Sequence, residues 1–176
     1  MKKTLKDELV NFTSRHGFTI DEEHWDYLQE GQRHEIHDGL FSVFEGFGAV
    51  AYAEAGTGPY EYLPDLINTM LYLLDIKGWV LDDVDSEDQW QTAQVELIHS
   101  SGEIYQFVID EVENSDWVPM DVFKKMEEFA KEKCDKTIVI FFSDDPYRML
   151  ALPFDAAEEL EAIILRHAEP YPSGMQ

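Results

Sequence analysis

Cysteine and long apolar runs are both scarce in this sequence. Cys134 is the only cysteine among the 176 residues, so no disulfide can form within the chain. The amino end shows no charged segment followed by an apolar core and a small-residue cleavage site. The longest apolar runs, such as IVIFF at 138–142, are far shorter than the about 20 residues that cross a bilayer. We therefore expect a cytoplasmic protein without a membrane span.

Positive charge is also scarce. Thirteen Lys and Arg residues are outnumbered by 37 Asp and Glu residues, which gives a formal net charge of −24, whereas solubility needs a magnitude of only about 2–8 in a small domain. From His34 to Phe123 the chain holds nineteen acidic residues and one basic residue, Lys77, so this stretch carries 18 of the 24 excess negative charges. Binding to nucleic acid or anionic lipid depends on Lys and Arg contacts to phosphates, so neither partner is expected.

Large apolar side chains are nevertheless plentiful. The chain is 44% hydrophobic, with eleven Phe, eight Tyr and four Trp residues, which is enough to drive folding despite the charge. A chain of this length buries roughly 70% of the surface that its unfolded form exposes. We expect a single domain over residues 1–176, with 170–176 as a loose tail.

Helical spacing of apolar residues dominates the first half of the chain. No element is predicted from Gly31 to Gly58. The predicted helices are one with Leu5, Leu9 and Phe12 that ends at Gly17, one capped by Asp21 that carries Trp25 and Leu28, and one that begins at Pro64 and ends at Gly78.

Strands and helices alternate in the second half of the chain. Short hairpin links favour antiparallel pairing with helices on one face of the sheet. The expected fold class is α+β, with a helical N-terminal half followed by a mainly antiparallel sheet with helices packed on it. The predicted elements are a strand at Trp79 to Val84, a hairpin at 94–110 that turns at Ser100-Ser101-Gly102, a helix from Pro119 with Val122, Phe123, Met126, Phe129 and Ala130 on one side, the strands KTIVIFF and RMLALP joined by the turn SDDPY, and a last helix with a capping box at Asp155 and Glu158.

The segment FEGFGAVAYAEAGTG, residues 44–58, contains the spacing Gly46-x-Gly48-x-x-Ala51 of a phosphate-binding loop. A dinucleotide loop needs a helix directly after it, and Pro59 with the second glycine pair is expected to interrupt that helix. The chain also holds no Lys or Arg from 34 to 76 to meet a phosphate. A structural loop or a packed strand edge is favoured, and no cofactor is expected.

Candidate metal ligands occur without the spacing that a site needs. His34 and His37 lie three residues apart, but no third ligand follows from the spacing and the HExxH pattern is missing, so a surface histidine pair is favoured over a zinc site. Asp83-x-Asp85-x-Glu87 lacks the glycine and the bidentate glutamate of a calcium loop. We predict no metal site, no catalytic residue and no enzymatic activity.

Two acidic segments, each next to a tryptophan, form the candidate site. The segments DDVDSEDQW (82–90) and DEVENSDW (110–117) each follow a predicted strand, at the periphery of the sheet. Acidic runs are usually solvated loops; the alternative is a recognition surface with tryptophan anchors in a field that attracts a basic partner. The predicted partner-binding residues are Asp82, Asp83, Asp85, Glu87, Asp88, Trp90, Glu111, Glu113, Asp116 and Trp117.

The small size, extreme acidity, α+β build and lack of a catalytic constellation resemble bacterial immunity proteins, including those of contact-dependent growth inhibition systems. The resemblance is one of class and rests on no shared motif. It implies a protein that binds a cognate toxin domain and blocks its active site or substrate groove. The implied partner is a basic toxin domain, expected to be a nuclease, because a folded acidic domain can occupy a groove meant for phosphate.

Two other classes of function stay open. One is a metal-assisted hydrolase that uses His34, His37 and nearby carboxylates, and it would require stoichiometric zinc or manganese. The other is a regulatory interaction module whose partner is neither a toxin nor a nuclease. The sequence leaves the oligomeric state open.

Overall fold

The computed structural model describes residues 2–19, 22–28, 30–43, 49–51, 58–112, 119–141 and 147–169. The α-helices are α1 (Leu5–His16), α2 (Arg33–Val43), α3 (Pro59–Leu74), α4 (Asp121–Lys133) and α5 (Phe154–His167). The strands are β1 (Ala49–Ala51), β2 (Trp79–Asp85), β3 (Ala93–His99), β4 (Ile104–Ile109), β5 (Lys136–Phe141) and β6 (Tyr147–Pro153). Within these ranges, no helix is both long enough and apolar enough to cross a bilayer.

The strands form two three-stranded sheets, with the orders β2-β3-β4 and β1-β6-β5. In the first sheet, β3 pairs antiparallel with both of its neighbours, which confirms the predicted hairpin. Helices come first and then alternate with strands, so the α+β class is confirmed. The chain divides into two compact units, Met1–Gly48 with Val139–Gln176 and Ala49–Ile138. The single domain over residues 1–176 stays a prediction.

The first unit contains α1 and α5. A reciprocal cap begins α1, because the Thr4 hydroxyl accepts from the Asp7 amide at 3.1 Å and the Asp7 carboxylate accepts from the Thr4 amide at 3.3 Å. As predicted, α1 ends at Gly17, whose φ of 73° is left-handed. One buried cluster joins apolar residues of α1, α2, β6 and α5, namely Leu5, Leu9, Phe12, Ile36, Leu40, Leu150, Leu152, Ala156, Leu160, Ile163 and Ile164.

A short pattern that the sequence repeats links α1 to α5. The pattern consists of Glu-Leu, then five residues, then Arg-His, and it occurs at residues 8–16 and again at residues 159–167. The Glu of each copy contacts the Arg and the His of the other copy, so the two helices run antiparallel and form equivalent ion pairs at both ends. These contacts are Glu8 with Arg166 and His167, and Glu159 with Arg15 and His16.

The charge of Glu8 depends on these contacts. Burial of its carboxylate acts to raise the pKa, but hydrogen bonds from Arg166 and His167, together with their positive charges, bring the pKa below the ordinary value for glutamate. The stability that Glu8 contributes is therefore present above that ordinary value and is lost as the pH falls through the lowered pKa.

In the second unit, α4 packs on the inner face of the β2-β3-β4 sheet. Phe129 of α4 is 0% exposed, and its ring meets Trp79 of β2 and Tyr105 of β4 edge to face, with centroids 5.3 Å and 5.0 Å apart. The helix α3 contacts both β2 and α4. The residues predicted to share one side of α4 are all buried: Val122, Phe123, Met126, Phe129 and Ala130.

The predicted boundaries of α3 are wrong at both ends. The helix begins at Pro59, since proline is tolerated in the first turn, and Pro64 lies inside it. Its C-terminal cap residue is Asp75, which adopts the left-handed conformation at φ 50°. Gly78 also has a left-handed φ of 88°, but it does not cap the helix. Glycine is needed at this position because a Cβ would lie 2.6 Å from the His99 ring.

The other departures concern short elements and caps. The second predicted helix is a 3-10 helix at Glu22–Tyr27, and Asp21 lies outside the described residues. The capping box predicted at Asp155 is wrong because α5 begins directly after Pro153, although Asp155 lies in the first turn, where its charge suits the helix dipole. The segment 31–58, for which the sequence predicts no element, contains α2 and β1. Residues 143–146 and 170–176 lie outside the described residues.

Candidate partner-binding site

The outward side chains of β2, β3 and β4 form one surface, which we call the outer sheet face. The strand register places these side chains in three rows that run across the sheet. None of the nine residues is a Lys or an Arg. The apolar row is Val80, Ile98 and Ile104, the acidic row is Asp83, Glu96 and Gln106, and the mixed row is Asp85, Gln94 and Val108.

A bulge in β2 decides which carboxylate points outward. The register shifts between Leu81 and Asp83, so Asp82 is the extra residue. Without the shift, Asp83 would oppose the buried Val95 on the inner face. With the shift, Asp83 opposes Glu96, and both Asp82 and Asp83 are exposed. The bulge thus keeps two adjacent carboxylates in solvent, while Val84 beyond it opposes the buried Val95 on the inner face.

A groove of about 370 Å³ lies on the acidic part of this surface. Within it, the side-chain amide of Gln106 donates a hydrogen bond to the Glu96 carboxylate. Carboxylates beside apolar surface suit a cation on an aliphatic stem, as in Lys and Arg side chains. The lining residues are Asp83, Asp85, Glu87, Gln94, Val95, Glu96, Gln106, Phe107 and Val108.

Apolar side chains on the outer sheet face are unusually exposed. Val80 is 56% exposed, Ile104 is 53% exposed and Val108 is 41% exposed. Single exposed apolar residues are ordinary, but these lie together on one three-stranded surface. The face therefore offers apolar contact area directly beside its carboxylates.

The 86–92 loop joins β2 to β3 and is ordered by its own side chains. The Ser86 hydroxyl donates to the Asp88 carboxylate and accepts from the Trp90 amide, both at 2.8 Å. Thr92 donates twice to Asp88, from its amide at 3.0 Å and from its hydroxyl at 2.7 Å. This network holds Gln89 and Trp90 at left-handed φ values of 59° and 66°, a conformation that side chains other than glycine rarely adopt.

Asp88 therefore positions the loop. The hydrogen bonds from the Thr92 amide, the Thr92 hydroxyl and the Ser86 hydroxyl lower the pKa of its carboxyl below the ordinary value. Both carboxylate oxygens are engaged inside the loop, so they have little capacity left for an outside cation. The half-buried Trp90 lies with its ring centroid 6.4 Å from that of Tyr60 on α3, which is 62% exposed.

We expect Asp88→Ala to speed hydrogen exchange of the Thr92 amide several-fold, because this substitution removes the acceptor of that amide. Exchange followed by nuclear magnetic resonance measures the effect. Glu87→Ala, at the exposed neighbouring position, serves as the control and should leave the Thr92 amide protected. Equal exchange rates in the two variants would contradict the role given to Asp88.

The second acidic segment begins at the same end of the sheet as the first. β2 and β4 each pair antiparallel with β3, so their carboxyl ends lie together. The Val112 amide donates to the Gln91 carbonyl at 3.0 Å, which places Glu111 beside the 86–92 loop. The predicted contact residues Glu113, Asp116 and Trp117 lie outside the described residues.

No family model, curated protein or solved structure matches this chain.

The histidine pair lies on α2, with His34 exposed and His37 only 3% exposed. Burial, with the nearby positive charges of Arg33 and His34, lowers the pKa of His37 to about 4, so its imidazole is neutral at pH 7. Across the part of the chain that the structure describes, no three His, Cys, Asp or Glu side chains are grouped closely enough to hold a metal ion.

His37 should make the protein less stable in mild acid. The unfolded chain takes up a proton at a pKa near 6.5 and the folded chain only near 4, so the contribution of His37 is complete above about pH 6.5 and is lost as the pH falls towards 4. The expected loss is about 2–3 kcal/mol. Urea unfolding at pH 7.5 and 4.5 should show a larger decrease for the wild type than for His37→Gln. Equal decreases would mean that His37 is not the group responsible.

Glycines 46 and 48 of the glycine-rich segment lie outside the described residues. Directly after these glycines the chain forms the strand β1 and no helix, and Pro59 begins α3 with Gly58 as its N-terminal cap residue.

Sequence reasoning missed part of the outer sheet face. Glu96 and the apolar row are not among the predicted contact residues, although the alternation along β3 places Glu96 and Ile98 on one side of a strand. What the sequence did not reveal was the pairing partner of each of these residues, and that pairing creates the rows.

Proposed function

We propose that this protein is an acidic cytoplasmic binding protein that neutralises a basic toxin domain, in the manner of an immunity protein, and that the toxin domain is a nuclease. The observation that carries the proposal is the outer sheet face, where exposed carboxylates and exposed apolar side chains stand together without any Lys or Arg.

The charge of this surface favours a cationic protein over other partners. Its carboxylates belong to the stretch that holds 18 of the 24 excess negative charges. Such a field repels nucleic acid and anionic lipid, whereas it raises the association rate of a basic protein by roughly 10- to 1000-fold at low salt. Rapid encounter is useful for a protein that must intercept a toxin before the toxin acts.

Apolar contacts would slow the dissociation of the complex. Rim charges mainly change association rates, whereas buried apolar anchors slow dissociation. Val80 and Ile104 are more than half exposed, and covering them would remove apolar area from water at about 25 cal/mol per Å². The outer sheet face therefore supports both fast association and slow dissociation.

Neutralisation requires no bond-making by this chain. A nuclease holds phosphates with Lys and Arg side chains, and the carboxylates that line the groove, including Asp83, Asp85 and Glu96, offer the same side chains a competing anionic surface. The nuclease would lose access to its substrate because its phosphate-binding groove is occupied.

The test has two stages. In the first stage, affinity capture from the native cells uses the wild-type chain and a variant in which Asp83, Asp85, Glu87 and Glu96 are replaced by their amides. In the second stage, any protein that only the wild type captures is produced separately. Its nuclease activity is measured while this protein is added. We expect a basic protein whose activity falls to the background level at one equivalent. A captured partner that is not basic, or one whose activity is unchanged, would contradict the proposal, and the second result would favour a regulatory module.

A further inference from the structure

The three rows of the outer sheet face follow one another from apolar to acidic along the strands, and attraction by charge alone does not require this order. The apolar row crosses all three strands at one end of the surface, and the acidic and mixed rows follow it along the strands. Outward residues on one strand are about 6.6–6.8 Å apart, and neighbouring strands are about 4.8 Å apart. A partner that fits this surface must change from apolar to basic within one row spacing.

The dimensions of the surface match those of an α-helix. The outer strands β2 and β4 lie about 9.6 Å apart, close to the about 10 Å diameter of a helix with its side chains. Helical turns repeat every 5.4 Å, which is near the row spacing, and the long flexible stems of Lys and Arg cover the remaining difference.

We infer that the outer sheet face binds a single basic helix of the partner protein, with apolar side chains on one turn and Lys or Arg side chains on the next two. The apolar turn meets Val80, Ile98 and Ile104. The basic turns meet the acidic and mixed rows, which both line the groove, where carboxylates of β2, β3 and the 86–92 loop surround apolar lining. This inference rests on the proposed function, since it specifies the part of the cationic partner that makes the contact.

Three fluorescent peptides of sixteen residues test the inference directly. The first has Leu on one turn and Lys and Arg on the next two; the second has the same composition with the residues mixed; the third is the first with two central prolines, which prevent a helix. Circular dichroism confirms that the first two are equally helical. Fluorescence anisotropy near physiological salt should give the first peptide about tenfold higher affinity than either of the others.

Variants of this chain locate the binding. Ile104→Ser and Glu96→Gln should each remove most of the preference for the first peptide. Val10→Ser, at a position in α1 that is 43% exposed, and Glu127→Gln on α4 are the matched controls and should keep the preference. Equal affinity for the first two peptides, or equally tight binding of the proline peptide, would overturn the inference.

The outcomes separate this inference from the function on which it rests. If the captured partner keeps its activity while the peptide preference holds, the immunity function fails and the specificity of the face stands. If the partner is inhibited at one equivalent but the peptides bind alike, the proposed function stands, and the inference that the partner binds through a basic helix is wrong.

Discussion

Association with the proposed basic partner is expected to slow by about 10- to 100-fold at low salt when Asp83, Asp85, Glu87 and Glu96 are replaced by their amides. These four carboxylates line the groove on the outer sheet face, so their charges lie where the cationic surface must approach. Stopped-flow measurement at rising ionic strength gives both the rate and its salt dependence, and the variant should also show the weaker salt dependence.

The control for this prediction has the same net charge. Asp65, Asp75, Glu128 and Glu132 are exposed residues of the second unit outside the three rows, and replacing them by amides removes four negative charges elsewhere. That variant should associate almost as fast as the wild type. If both variants slowed equally, only the total charge would matter, and the outer sheet face would have no special part in the encounter.

Phe129→Ala is expected to lower the free energy of unfolding by about 3–5 kcal/mol. The Phe129 ring is fully buried and lies against Trp79 and Tyr105 on the inner face of the sheet, so truncation leaves a cavity between α4 and two of the three strands that carry the candidate site. Urea unfolding followed by tryptophan fluorescence measures the change.

Tyr72→Ala is the matched control for Phe129→Ala. Tyr72 is an aromatic residue of the same unit, but it is 80% exposed, so its truncation should change the free energy of unfolding by no more than about 0.5 kcal/mol. A similar loss in both variants would contradict the packing of α4 on the sheet. Partner binding by Phe129→Ala, measured below its unfolding transition, would also show how far the outer face depends on support from the inner face.

The elements that the sequence predicts well are those in which local pattern and burial agree. The apolar spacing in α4 predicts its buried side, and Ser100-Ser101-Gly102 predicts the turn between β3 and β4, where Gly102 has φ 93°. Each signal is contained in a few neighbouring residues, which is why it can be read without knowing the fold.

The features that the sequence does not predict depend on contacts between distant residues. The bulge at Asp82 follows from the register of β2 against β3, and the repeated Glu-Leu to Arg-His pattern gains meaning only once α1 and α5 lie side by side. The candidate site is similar in this respect: the acidity of 82–88 is plain in the sequence, but the contribution of Glu96 arises from pairing across strands.

Carboxylate labelling of the complex tests the central claim most directly. A carbodiimide and an amine modify exposed Asp and Glu side chains, and mass spectrometry measures the modification at each position with and without the partner. We predict that Asp83, Asp85 and Glu96 become protected in the complex, while Asp7 of α1 and Glu161 of α5 are modified as before. Protection at Asp7 and Glu161 with none at the three outer-face carboxylates would contradict the claim that this face binds the partner.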